Sequence, residues 1–163
     1  MTKYAIATRK TGAILGLSLS VVSTIALAHH GFQSRYDMGK PIWIEGIVER
    51  SYFGNPHSEL TVKVAADLAI PQPAPTLGPV SSFLSNAALH VPADLRGQTV
   101  ELELPPTAQY SSLGGRVSVG DRIAAVTIRN CETPHQLNVQ WLRLADGSIE
   151  SRQAAMSYMV EQC

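Results

Sequence analysis

The residues of this 163-residue chain best suited to chemistry are its five histidines. His29 and His30 stand together. His57 follows a proline in Asn55-Pro56-His57, His135 follows one in Thr133-Pro134-His135, and His90 sits in a proline-rich stretch. Neutral imidazole is a good ligand for copper and zinc. A histidine freed at residue one of a processed chain adds its own α-amino nitrogen, so it can chelate one ion through two atoms. His29, His30, His57 and His135 would then offer three or four nitrogen donors, a set that suits the tetragonal preference of Cu(II). Plain alternatives stand beside this reading. A His-His pair near a terminus is often just a solvated end, and a histidine after proline can simply hydrogen-bond within a turn.

No set of residues points to catalysis. The serines are dispersed, and none lies in a G-x-S-x-G elbow. There is no H-E-x-x-H pair and no glycine-rich phosphate loop. Asp37, Glu45, Glu49, Glu59, Glu101 and Glu103 are spread over strand-like segments, where solvated strand faces account for nearly all of them. An enzyme is therefore unsupported, and the histidines carry the functional reading.

Their meaning depends on where the working chain begins. Residues 1–28 read as a secretory signal peptide. Lys3, Arg9 and Lys10 give a basic start, an apolar run follows from Ile14, and Ala26-Leu27-Ala28 presents small residues to a peptidase. An uncleaved anchor is the competing reading, but a bilayer span needs about 20 apolar residues, and this run is diluted by Gly16, Ser18, Ser20, Ser23 and Thr24. Cleavage predicts a periplasmic or secreted protein that begins at His29 and has no integral membrane segment.

Removing the signal also changes the charge. The whole chain has 13 basic and 13 acidic residues; the mature part keeps 10 basic against 13 acidic, a net −3. That balance gives no reason to bind nucleic acid or anionic lipid. The remaining 135 residues suit one domain, 29–163, with its own core. Cys131 and Cys163 both fall in it, and in an oxidising compartment a disulfide is the expected state. A metal-thiolate pair is the alternative, disfavoured by the lack of C-x-x-C spacing.

Period-two alternation predicts the elements that must position these side chains. Leu60–Val64 and Val100–Leu104 alternate cleanly, and Ile42–Phe53 is a longer run with Gly46 at a bulge or bend. Arg122–Ile128 is more continuously apolar, as a strand covered on both faces would be, and Leu137–Leu144 closes at Asp146-Gly147. Residues 65–97 contain Pro71, Pro73, Pro75, Pro79 and Pro92, so they read as an extended loop insertion with one short helix near Ser82–Leu89. Ala155, Met156, Met159, Val160 and Cys163 fall at helical spacing, predicting a short C-terminal helix. The fold class is mostly β: a small five-stranded, OB-like Greek-key barrel. A β-sandwich competes but needs about seven strands. In an OB barrel, His57 lies in the loop joining strands 1 and 2 and His135 in the loop joining strands 4 and 5. Both loops border the usual ligand face.

The order Ala28-His29-His30-Gly31-Phe32, Tyr36-Asp37, Asn55-Pro56-His57, then Val119-Gly120-Asp121-Arg122-Ile123 and Leu142–Gly147 resembles a bacterial group of exported domains of unknown function, family 6152. The resemblance implies a periplasmic location and a small β-barrel, and it draws attention to His29, His30 and His57. It supplies no activity. This chain differs in having Gly31 where serine is usual, in its proline-rich insertion, and in His135 and the cysteine pair. Two functions follow: a periplasmic metal-binding protein, copper favoured, or a metal-free OB-type module for a small molecule, glycan or protein partner.

Overall fold

The computed structural model describes residues 35–163. His29, His30 and the signal segment lie outside the described residues. Seven strands form one sheet: β1 Tyr36–Tyr52, β2 Ser58–Val64, β3 Thr99–Leu104, β4 Arg122–Asn130, β5 Leu137–Arg143, β6 Ile149–Ser151 and β7 Met159–Val160. The first five close on themselves in the order β1-β2-β3-β5-β4-β1, with every pairing antiparallel except β3–β5. This is the expected five-stranded barrel.

The long first strand makes closure possible. Its first part, Tyr36 to Ile47, pairs with β4, and Gly46 to Tyr52 pairs with β2. Gly46 lies where β1 exchanges partners, and a Cβ there would collide with the Lys63 carbonyl. Close approach of two backbones at a barrel corner is what a strand glycine permits. The register shift itself comes just after, between Val48 and Arg50.

Alternation sets the inside. Leu60, Val62, Val64, Leu102 and Leu104 are buried, with Trp43 packed on Trp141 at 5.9 Å between ring centroids. The continuous run Ile123–Ile128 is buried throughout, as a doubly covered strand should be. The proline-rich segment 65–97 contributes directly to that covering. It folds into short 3-10 turns at Gly78–Ser82 and Asn86–Ala88 in place of the single expected helix, and it buries Leu68, Leu77, Val80, Leu84 and Leu89. His90 returns it to β1, where Trp43 N–H donates to the His90 carbonyl at 3.0 Å. The short helix α1, Ala108–Ser111, joins β3 to β4 and sends Tyr110 into the core.

The expected C-terminal helix is not formed. Residues 151–163 turn at Met156 and run as the two-residue strand β7 beside Tyr36 and Asp37. Ala155 and Met156 are exposed rather than lying on a buried helical face. An isolated helix of this length is marginal, whereas the open edge of β1 offers backbone partners, and the Cys131–Cys163 disulfide holds the tail against it.

The bridge closes a 32-residue separation, for which loop entropy gives a stabilisation of about 3–4 kcal/mol. Replacing both cysteines, Cys131→Ser with Cys163→Ser, should lower unfolding free energy by that amount in urea titrations. A double variant as stable as the parent would show that the bridge does not constrain the chain.

Candidate functional site

Alternation that turns Leu102 and Leu104 inward turns Thr99, Glu101 and Glu103 outward, where they face Lys63, Thr61 and Glu59 of β2 across the register. Glu103 would be solvated on an open strand, yet its side chain is only 13% exposed. Two loops cover it: residues 53–57, joining β1 to β2, and residues 131–136, joining β4 to β5. These are the two loops expected to frame the ligand face.

The second loop is shaped by Asn130 at the end of β4. Its Oδ1 accepts from the backbone N–H groups of Glu132 and Thr133, at 2.8 and 3.1 Å, and its Nδ2 donates to Gln136 Oε1 at 2.7 Å. Gln136 is thereby aimed, and its Nε2 donates to Glu103 Oε2 at 2.8 Å. The same oxygen accepts from the Tyr36 hydroxyl at 2.9 Å. Tyr36 is buried, with its ring against Tyr158 of the tail. Burial, reinforced by the Glu103 charge, pushes its hydroxyl well above the usual phenol range, which keeps it a donor. The other carboxylate oxygen, Oε1, lies 3.4 Å from His57 Nδ1. That contact is an ion pair when the imidazole is protonated, but it lacks hydrogen-bond alignment.

His135 is exposed and lines a cavity of about 210 Å³ together with Glu59, Glu101, Glu103 and Gln136. Three carboxylates thus share one small space. Glu101 is partly offset by Arg50, whose Nη2 donates to it at 3.2 Å. Glu59, Glu101 and Glu103 give that space a negative lining, which favours a cationic or hydrogen-bond-donating group.

The structure therefore brings two of the four expected histidines to one carboxylate, His57 by contact and His135 across the cavity. His29 and His30 lie outside the described residues. Among the described residues, no group of three or more His, Cys, Asp and Glu side chains is placed to hold a metal ion. His90 is apart: its Nδ1 donates to the Pro41 carbonyl at 3.0 Å, a structural role, and it lines a separate cavity with Asp37, Lys40 and Arg129. The reading of the acidic residues as solvated strand faces holds for Glu49 and Glu101. It is corrected for Asp37 and Glu103: Asp37 is buried and Glu103 lies under the loops. Tyr36, Asn130 and Gln136 were not singled out by sequence. Tyr36-Asp37 carried a signal only through the family resemblance.

The model of a family of unknown function, DUF6152, matches residues 17–70. The chain is similar to that family over β1, β2 and the histidine-bearing loop between them; the later landmarks near 119–123 and 142–147 fall beyond the match. No curated protein and no solved structure matches the chain.

Tyr36 and Tyr110 are both buried with phenols raised far above the ordinary value. In the unfolded chain they ionise near about 10, so they leave stability flat below that pH. Above it the unfolded state releases the protons first, and stability falls by up to about 1.4 kcal/mol per pH unit for each. Tyr36→Phe should make this alkaline decline about half as steep in denaturant titrations from pH 9 to 11. An unchanged slope would show that Tyr36 ionises equally in both states.

Proposed function

We propose that this protein is an exported, OB-type binding module without enzymatic activity, and that it takes a cationic ligand on the rim around Glu103. The observation that carries the reading is the convergence of Tyr36, Gln136 and His57 on one sheltered carboxylate, between the two loops that frame an OB ligand face. Glu59 and Glu101 extend the same negative field. The Cys131–Cys163 bridge is what an oxidising compartment permits, and no described helix is long and apolar enough to cross a membrane; both are compatible with a periplasmic or secreted location.

Copper is the second reading, favoured because His57 and His135 border the same carboxylate. The described residues supply too few close ligands, so a Cu(II) site here needs His29 and His30 from a chain cut after Ala28. The intact mass of exported protein fixes that cut. Copper titration should then give about one tight site, lost on removing His29. A mature chain starting elsewhere, or affinity indifferent to His29, rules out the amino-terminal site.

The general reading is tested without metal. Titration of the exported protein with spermine should give saturable binding that Glu103→Gln weakens about tenfold or more, the scale of one charged hydrogen bond. Glu45→Gln, on another part of the barrel, should leave it unchanged. Equal loss in both variants would reduce the interaction to net charge, and equal binding in all three proteins would remove Glu103 from the site.

A further inference from the structure

The parallel contact between β3 and β5 is very short: Leu102 faces Leu137, Glu103 faces Asn138, and the pairing ends there. On the β2 side, β3 is paired along its whole length, from Thr99 to Leu104. Among the described residues, 99–101 thus have register partners on the β2 side only. The direction of their backbone groups follows from the ladder. Val64 N–H donates to the Gln98 carbonyl, so even-numbered residues turn their N–H and C=O toward β2; Thr99 turns both of its groups toward the gap and Glu101 its N–H, while the Glu101 carbonyl is taken up by the Leu102–Leu137 pairing with β5.

The gap exists because β5 cannot begin earlier. Pro134 has no N–H to offer a ladder, and the loop folds back on itself, with Gln136 N–H donating to the Thr133 carbonyl at 2.9 Å. Asn130 holds that turn through two backbone N–H groups. What remains between β3 and the loop is a cavity of about 560 Å³. Leu95, Val100, Pro134 and Leu137 give it an apolar lining, while Arg129 and Glu101 supply opposite charges. It shares Glu101 and His135 with the acidic cavity beside Glu103, so the two are contiguous.

We propose that the gap is a strand-addition site: an extended peptide from a partner protein lies along Thr99–Glu101 where β5 is missing. The proposal deepens, and rests on, the reading of the Glu103 rim as a cation-binding face. Three residues of extended chain span about 10 Å, which matches the unpaired stretch of β3. Main-chain hydrogen bonds to Thr99 and Glu101 would hold the peptide, and alternate side chains would select it. The chemistry of the walls specifies an apolar residue over Leu95 and Leu137 and a basic residue reaching Glu59, Glu101 and Glu103.

The probe is a blocked pentapeptide alternating lysine and valine, added to the ¹⁵N-labelled exported protein. Binding should shift the amide signals of Thr99 and Glu101 and slow hydrogen exchange at Glu101 at least tenfold. The same peptide N-methylated at its ladder-facing positions keeps its charge and side chains but loses its donors, and should bind at least tenfold more weakly. A glutamate-valine peptide should not bind. If the N-methylated peptide binds equally well while spermine binding still depends on Glu103, strand addition is wrong and the rim reading stands. If neither spermine nor the peptide binds, both fall. If Glu101 is already protected before peptide is added, the chain itself or a second copy fills the gap, and the proposal is overturned.

Discussion

Closing a five-stranded barrel requires β3 to meet β5 in parallel, and here that seam consists of two residue pairs. So short a ladder leaves much of the closure to side chains. Glu103 stands at the seam and accepts from Tyr36 of β1 and Gln136 of the loop entering β5. Gln136 is held in turn by Asn130 of β4. One carboxylate thereby links β3 to β1 and, through Gln136, to β4 and the loop entering β5, at the shortest seam of the five-stranded barrel. The tail belongs to the same arrangement. The disulfide anchors it to the β4–β5 loop, and β7 lies beside Tyr36.

The same constraint creates the candidate site. Sheltering a carboxylate costs free energy unless its lone pairs are satisfied, and the two hydrogen bonds to Oε2 meet that need on one side. Among the described residues, Oε1 meets only the loose approach of His57, so it is the atom best placed to take a new partner. Glu59 and Glu101 raise the negative potential around it, and the ligand most compatible with the rim is therefore positively charged. The stitching that closes the barrel and the charge that would gather a ligand are one group. Disturbing one should disturb the other.

Much of this was legible in the sequence, and the misses have physical causes. Alternation at Leu60–Val64 and Val100–Leu104 located β2 and β3, and Gly46 marked the corner of β1. The two Pro-His pairs pointed to loops that do lie at one rim. Alternation tells only which way a side chain leaves its strand. It placed Glu103 outward and could not show that distant loops would cover it. The strands β6 and β7 have three and two residues, too few for any period to show, so the tail's apolar spacing read as a helix. Prolines between 65 and 97 signalled irregular backbone correctly. They carried no information about whether Leu77, Val80 and Leu84 would be buried by it.

The most direct test of a site centred on Glu103 is a carboxyl-carbon NMR titration in which its side chain is followed while trilysine is added to the protein. The Glu103 carboxyl signal should move and saturate with the binding curve, with Glu59 and Glu101 moving alongside it. Saturable binding in which Glu103 stays fixed, while carboxylates elsewhere on the barrel respond, would contradict such a site.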